Sequence, residues 1–163
     1  MPVLYKLFSR LLCNRLSPIL EEGQCPDQAG FRSGFSTEDH LYSLSHLHEK
    51  AEELQIPLWC AAIDFQKAFD TVERQAFWNA LAKQNVPVGY ILLLSKLYTG
   101  QTGRIKTDVL SRPFDISRGT KQGDPLSSLI FNALLEDIFR DAKQKWAVRK
   151  YGVELGGTGR CPG

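Results

Sequence analysis

The sequence predicts an α+β fold in which helices come first and strands are few. Apolar residues recur every three or four positions in the first 20 residues and again after Pro125, as in amphipathic helices. A short apolar run ending at Asp64 lies between helical segments, and two short β-like runs flank Ser111-Arg112-Pro113. Since strands and helices do not alternate regularly, a repeated βαβ sheet is not expected.

The bulk composition is that of a globular domain. A chain of 163 residues is long enough to bury a core, and 43% hydrophobic with 23% charged residues argues against disorder. The net charge of +2 is well below that expected of a domain that wraps a polyanion. Composition alone therefore does not indicate a nucleic-acid partner.

Cysteine and histidine positions give no sign of a zinc site or a disulfide framework. No two of the four cysteines form a CxxC pair, and the three histidines lie together, away from any cysteine. We therefore expect no disulfide partner and a reducing compartment. The sequence leaves the location open: intracellular, nuclear or cytoplasmic, if the chain is expressed. Basic residues interrupt the apolar N-terminus, and the longest uncharged apolar run is too short to span a bilayer, so no membrane association is expected.

The N-terminal part is expected to contain two helices and a loop. Residues 3–20 predict the first helix, and the glycine-rich stretch that follows predicts a loop. Ser36 or Thr37 is expected to cap a second helix that ends before Pro57 and carries a leucine stripe. The run Leu58–Ile63 is expected to be a buried strand.

The C-terminal part is expected to contain three helices and a hairpin. Helices are predicted over roughly 73–85 and 88–98, separated by Pro87, followed by a hairpin with its turn at Ser111-Arg112-Pro113. A long helix should begin at Pro125 and end near Trp146. Residues 151–155 could add a strand, and the last eight residues are expected to be a disordered tail.

The first chemistry-bearing stretch is IDFQKAFD. Asp64 stands where an apolar strand would leave its sheet, a position that suits a hard cation, and the backbone carbonyl of Phe65 could reach the same ion. The alternative is structural: Asp64 merely ends the strand, and Asp70 caps the helix after it.

Two further stretches suit phosphate or nucleotide contacts. In RGTKQGDP, Gly119 and Gly123 enclose a turn that leads into a helix N-terminus, and the Gln122 amide could bond a sugar or a base. In QAGFRSGFST, Arg32 follows an aromatic residue in a glycine-rich loop. Each could equally be an ordinary loop.

Taken together, the three stretches resemble one family. The order QAGFRSGFST, IDFQKAFDTV and RGTKQGDPLSSLIFN resembles the reverse transcriptase domain of non-LTR (LINE-type) retrotransposons, over nearly the whole chain. The context before the predicted strand, EKA followed by IPL, is similar to the RTE-like branch. Ser128 stands where this family usually has proline.

The resemblance implies roles for individual residues. Asp64 would be the first catalytic, metal-binding aspartate, assisted by the Phe65 carbonyl, with Mg²⁺ as the cofactor. Phe69 would lie under the nucleotide sugar and exclude a 2′-hydroxyl. Gln122 and Gly123 would line the nucleotide pocket, and Arg32 would lie near the triphosphate or template. The implied partners are an RNA template, a DNA primer and deoxynucleoside triphosphates.

The resemblance also implies an incomplete right-hand polymerase fold. Residues 1–56 would form a fingers-like helical region, 57–155 a partial palm, and 156–163 the tail. The family carries paired aspartates on a β-hairpin and then a thumb, and this sequence has no adjacent aspartate pair. We therefore expect a reverse transcriptase fragment that is inactive by itself. The alternatives are a non-catalytic nucleic-acid-binding remnant, motivated by Arg32, Arg104, Arg118 and Lys121, and a pseudogene product without a stable fold.

Overall fold

Helices dominate the part of the chain that the computed structural model describes, residues 2–152. The elements in chain order are α1 (Val3–Gly23), α2 (Thr37–Glu53), α3 (Ala68–Thr71), α4 (Arg74–Lys83), α5 (Val88–Tyr98), β1 (Thr102–Gly103), β2 (Phe114–Asp115) and α6 (Pro125–Val148). The helices predicted at both ends and on either side of Pro87 are confirmed. The mixture of helices with one small sheet agrees with the expected α+β class.

The core forms where four helices meet. Helix α6 packs against both α1 and α4, and α5 packs against α4. The 3.6-residue period brings one face of α1 into this core, where Leu12, Leu16 and Leu20 are buried. Side chains from the other three helices complete it, among them Phe77, Leu81, Leu94, Tyr98, Leu126 and Ile130. The core therefore joins the first helix to the last and crosses the proposed boundary at residue 56.

Helix α2 is well capped but buries no residue. Ser36 accepts a hydrogen bond from the Glu38 amide, and Asp39 accepts one from the Ser36 amide, so both residues satisfy free N–H groups at the helix start. The leucine stripe predicted from the sequence is present, yet Leu41 is 58% exposed. This helix is stabilised by its N-terminal cap and not by packing into the core.

The buried strand predicted at Leu58–Ile63 is wrong. Residues 56–65 are neither helix nor strand, and Trp59 and Ile63 are 91% and 69% exposed. A strand needs a neighbour that accepts its backbone hydrogen bonds. Within residues 2–152 the only sheet is the pair β1–β2, which lies elsewhere in the chain. Apolar composition alone could not supply that neighbour.

The predicted hairpin exists, but its turn is elsewhere. Strands β1 and β2 are antiparallel, with Thr102 opposite Asp115 and Gly103 opposite Phe114. A further bridge joins Lys106 and Leu110, so the chain reverses near Thr107–Val109. The turn expected at Ser111-Arg112-Pro113 is therefore wrong.

Two other expectations lie wholly or partly outside the described residues. The possible strand at 151–155 extends beyond residue 152, and the expected disordered tail at 156–163 lies entirely beyond it. Of the described cysteines, Cys13 and Cys60 have free thiols. No helix in residues 2–152 is long and apolar enough to cross a membrane.

The different surroundings of α1 and α2 predict different sensitivities to truncation. Leu16→Ala removes a fully buried side chain and should lower the free energy of unfolding by about 2–5 kcal/mol. Leu41→Ala, on the exposed face of α2, should change it by less than about 0.5 kcal/mol. Urea unfolding followed by circular dichroism measures both. Equal losses would contradict this core assignment.

Candidate functional site

Two of the three chemistry-bearing stretches meet through their backbones. The Gly119 amide donates to the Val72 carbonyl at 2.8 Å, and the Thr120 amide donates to the Phe69 carbonyl at 2.7 Å. Residues Glu73 and Arg118 form an antiparallel bridge beside these bonds. The segment around Phe69 is thereby held against the turn that contains Gln122 and Gly123.

This contact requires glycine at position 119. The residue has φ of +75°, which L side chains rarely adopt. A Cβ there would also lie 2.7 Å from the Asp70 carbonyl oxygen and 2.8 Å from that of Phe69. Because both obstacles are backbone atoms, no side-chain rotation could relieve the clash. Gly119 therefore permits the close approach of the two stretches.

A pocket of about 360 Å³ opens where these stretches meet. Its lining includes Phe31, Lys67, Phe69, Thr120, Gln122 and Gly123. It brings together three residues singled out from the sequence, namely Phe69, Gln122 and Gly123. Gln122 and Gly123 are exposed, so a ligand could reach them from solvent.

Three aromatic rings contact one another at the site, and two of them, Phe31 and Phe69, line the pocket. Phe69 is half-buried between Phe31, whose ring centre lies 5.8 Å away edge to face, and Phe131 of α6, at 4.5 Å. Edge-to-face and offset contacts of this kind stabilise ring positions. Phe131 therefore holds the Phe69 ring from the core side, and the exposed ring of Phe31 contacts it from the other side.

Backbone strain is also found at the pocket. Phe31 and Lys67 both line it, and both have positive φ, 58° and 51°. For a bulky residue such as phenylalanine this conformation is an outlier, and such strain clusters at functional sites. Neither residue was assigned a role from the sequence. A phenylalanine inside a glycine-rich loop was visible there, but its conformation was not.

The N-terminus of α6 is capped by the side chain of Asp124. Asp124 accepts a hydrogen bond from the Leu126 amide at 3.1 Å and is buried. Lys121 lines the pocket, but its ammonium is already engaged, since Nζ donates to the Leu97 carbonyl at 2.8 Å. Burial lowers the pKa of Lys121. A phosphate at this helix N-terminus, which the sequence allowed, would have to compete with a carboxylate already there.

Arg32 lies outside the pocket and is fully engaged. Its guanidinium binds the Glu21 carboxylate at 2.7 Å and donates to the carbonyls of Cys25 and Gln28 at 2.9 and 2.7 Å. It also lies 4.4 Å from the ring centre of Phe35, and its side chain is only 8% exposed. These contacts close the loop that carries Phe31.

Asp64 and Phe65 are exposed and do not line the pocket. They belong to the segment that was expected to be a strand. Residues 2–152 contain no group of three or more histidine, cysteine or acidic side chains that could hold a metal ion. One carboxylate and one carbonyl do not fit a two-metal centre, so no catalytic step can be derived from these residues.

Comparison with known protein families gives a result that covers nearly the whole chain. Residues 1–155 match the family described as reverse transcriptase (RNA-dependent DNA polymerase). The chain belongs to the reverse transcriptase family. The resemblance seen in the motifs is thereby confirmed, and with it the polymerase fold at the coarse level.

Curated relatives include polyproteins and polymerases of retrotransposons. The chain is 29% identical, over 82% of its length, to the Retrovirus-related Pol polyprotein from type-1 retrotransposable element R2 of Nasonia vitripennis. It is 30% identical, over 83%, to the Probable RNA-directed DNA polymerase from transposon BS of Drosophila melanogaster. It is 26% identical, over 81%, to the Transposon TX1 uncharacterized 149 kDa protein of Xenopus laevis.

The chain spans a small part of these relatives, 13%, 15% and 10% of their respective lengths. No solved structure matches it significantly. These relatives are proteins of non-LTR retrotransposons, which confirms the resemblance to that type of reverse transcriptase. Placement of the chain in the RTE-like branch stays a prediction.

The close approach at Gly119 can be tested by substitution. Gly119→Ala adds both left-handed strain and a backbone clash, whereas Gly100→Ala adds only the strain, since Gly100 has φ of +66° and open space around it. We expect Gly100→Ala to cost about 1–2 kcal/mol of unfolding free energy and Gly119→Ala clearly more. Chemical denaturation of the two variants measures this. Equal costs would show that the approach is not needed.

Proposed function

We propose that this chain forms the nucleotide-binding part of an RNA-directed DNA polymerase encoded by a non-LTR retrotransposon. The observation that carries the proposal is the pocket itself. It gathers Phe69, Gln122 and Gly123 from distant stretches, beside the strained Phe31. A pocket that combines two phenylalanine rings with several polar groups and a reachable amide is suited to a nucleoside, whose base and sugar offer both kinds of contact.

Within this proposal the three pocket residues singled out from the sequence have distinct tasks. The held ring of Phe69 would meet the sugar and exclude a 2′-hydroxyl by contact. The exposed Gln122 amide would hydrogen-bond the sugar or base, and Gly123 would let that ligand approach the backbone. Arg32 would act indirectly, by closing the loop that carries Phe31, which replaces the direct triphosphate contact expected from the sequence.

Metal binding is the part of the proposal that needs residues beyond this sequence. Asp64 would contribute the first carboxylate and Phe65 its carbonyl, and Mg²⁺ suits such oxygen ligands. Reverse transcriptases generally use divalent metal ions for nucleotidyl transfer. Since one carboxylate cannot hold two ions, we propose that these 163 residues alone do not polymerise. Residues 1–56 would correspond to fingers and 57–155 to part of the palm.

The alternative, a binding remnant without catalysis, has less support. Of the four basic residues that motivated it, Arg32 is paired with Glu21, and the Lys121 ammonium donates to the Leu97 carbonyl. Arg104 is exposed, and Arg118 makes only an exposed ion pair with Glu73 at 3.6 Å. Two of the four cations are thus engaged within the protein, whereas an exposed ion pair competes only weakly with a phosphate. Filter binding of RNA across a salt series tests this: strong affinity with a steep salt slope would favour the alternative.

The metal assignment predicts the effect of Asp64→Ala. In a polymerase that contains this chain together with the remaining carboxylates, the substitution should abolish primer extension, because the metal loses its first ligand. Asp108→Ala, an exposed aspartate at the hairpin tip, is the matched control and should extend normally. Primer extension on an RNA template measures both. Retained extension by the Asp64 variant would overturn the assignment.

The pocket predicts the effect of Phe69→Val on sugar selection. In the same polymerase, a smaller side chain should relax discrimination against ribonucleotides by about tenfold or more, because steric exclusion of one group is worth about that much. The kcat/KM ratio for a deoxynucleotide and its ribonucleotide measures this. Phe114→Val, on β2 and away from the pocket, should leave the ratio unchanged. An unchanged ratio in Phe69→Val would remove the proposed sugar contact.

A further inference from the structure

The turn that presents Gln122 and Gly123 to the pocket, Lys121–Asp124, is closed by one backbone hydrogen bond, from the Asp124 amide to the Lys121 carbonyl at 3.2 Å. A Cβ at Gly123 would meet nothing within 4 Å, and both residues are exposed. The side chains that can anchor the turn to the rest of the protein are therefore those of its first and last residues, Lys121 and Asp124, which we call its two flanks. Both flanks are held from outside the turn.

The two flanks meet at one side chain of α1. The Lys121 ammonium donates to the Tyr5 hydroxyl at 2.9 Å, and that hydroxyl donates to Asp124 Oδ2 at 2.9 Å. The Tyr5 ring also lies under the ammonium, 4.2 Å from Nζ to the ring centre. Tyr5 thus touches the first and last residues of the turn with one phenol group, although it lies 116 residues from Lys121.

We propose that Tyr5 is a positioning residue, whose hydroxyl links Lys121 to Asp124 and so fixes the Gln122–Gly123 turn at the pocket. The link suits both charged groups. A hydroxyl can accept from an ammonium and donate to a carboxylate at once, which a second lysine or aspartate could not do. The role in nucleotide binding rests on the proposed function, whereas the role in fixing the turn does not.

The surroundings make this link strong. Asp124 is only 5% exposed, and Ser9 of α1 donates a hydrogen bond to its other oxygen. Hydrogen bonds between charged and neutral groups are worth more when water is excluded. Burial and the neighbouring Asp124 carboxylate together raise the pKa of Tyr5, so its proton stays on the phenol at any ordinary pH.

Tyr5→Phe tests the link because it removes the hydroxyl and keeps the ring. Amide hydrogen exchange of the intact 163-residue chain is the first measurement. We expect residues 120–124 to exchange about tenfold faster or more, since a hydrogen bond to a charged group is lost. Exchange in the α4 core around Phe77 should not change. Tyr42→Phe, on exposed α2, is the matched control and should alter neither region.

A double-mutant cycle separates the link from general packing. Lys121→Met keeps the aliphatic stem and removes the ammonium. If the hydroxyl joins the two flanks, the effects of Tyr5→Phe and Lys121→Met on turn exchange are not additive. Additive effects, or unchanged exchange at 120–124 in Tyr5→Phe, would overturn the proposal.

Binding of dATP with Mg²⁺, followed by equilibrium titration, connects the link to the pocket. If the unaltered chain binds dATP, Tyr5→Phe should weaken that affinity by about tenfold, as the turn loses its fixed position. Unweakened binding would overturn the role in the pocket. If the unaltered chain does not bind dATP while turn exchange still accelerates in Tyr5→Phe, the nucleotide function fails and the positioning of the turn stands.

Discussion

The close backbone approach at Gly119 is the constraint on which the rest of the site depends. Two amides of the turn bond to two carbonyls of the Phe69–Val72 segment, and a Cβ at position 119 would separate them. Without this contact Phe69 would keep its neighbour Phe131 on α6 but would lose Thr120 and the turn. The pocket is therefore shaped by backbone hydrogen bonds as well as by the packing of its side chains.

The helical core and the pocket are joined by polar contacts as well as by packing. Arg74 at the start of α4 donates to the Tyr98 carbonyl and to Gln101, and lies 3.5 Å from the Gly119 carbonyl. On the other side, Tyr5 and Ser9 reach Asp124 from α1. The turn thus lies between two helices that share one hydrophobic core, which explains how exposed residues such as Gln122 can have a defined position.

Local signals in the sequence were sufficient for most helices and insufficient for long-range partners. Ser36 with Asp39, and Asp124 with Pro125, are start signals that act within one turn, and both helices begin there. The run Leu58–Ile63 was misassigned because a strand depends on a neighbour that no local pattern reveals. The contacts of Tyr5 were invisible for the same reason: its partners Lys121 and Asp124 lie more than 100 residues away.

The two halves of the proposed active site differ in how firmly the rest of the structure holds them. The nucleotide half, around Phe69 and Gln122, is supported by the α1–α4–α6 core and by backbone bonds. The metal half, Asp64 with Phe65, follows an apolar segment that is exposed and unpaired within residues 2–152. A metal ligand must be held rigidly to place an ion, and an unpaired exposed segment loses conformational entropy when it becomes rigid. Backbone pairing of residues 58–63 would therefore order the segment that leads to Asp64. If Asp64 is a metal ligand as proposed, its affinity for the ion would be coupled to the ordering of this segment, whereas the contacts that hold Phe69 do not involve it.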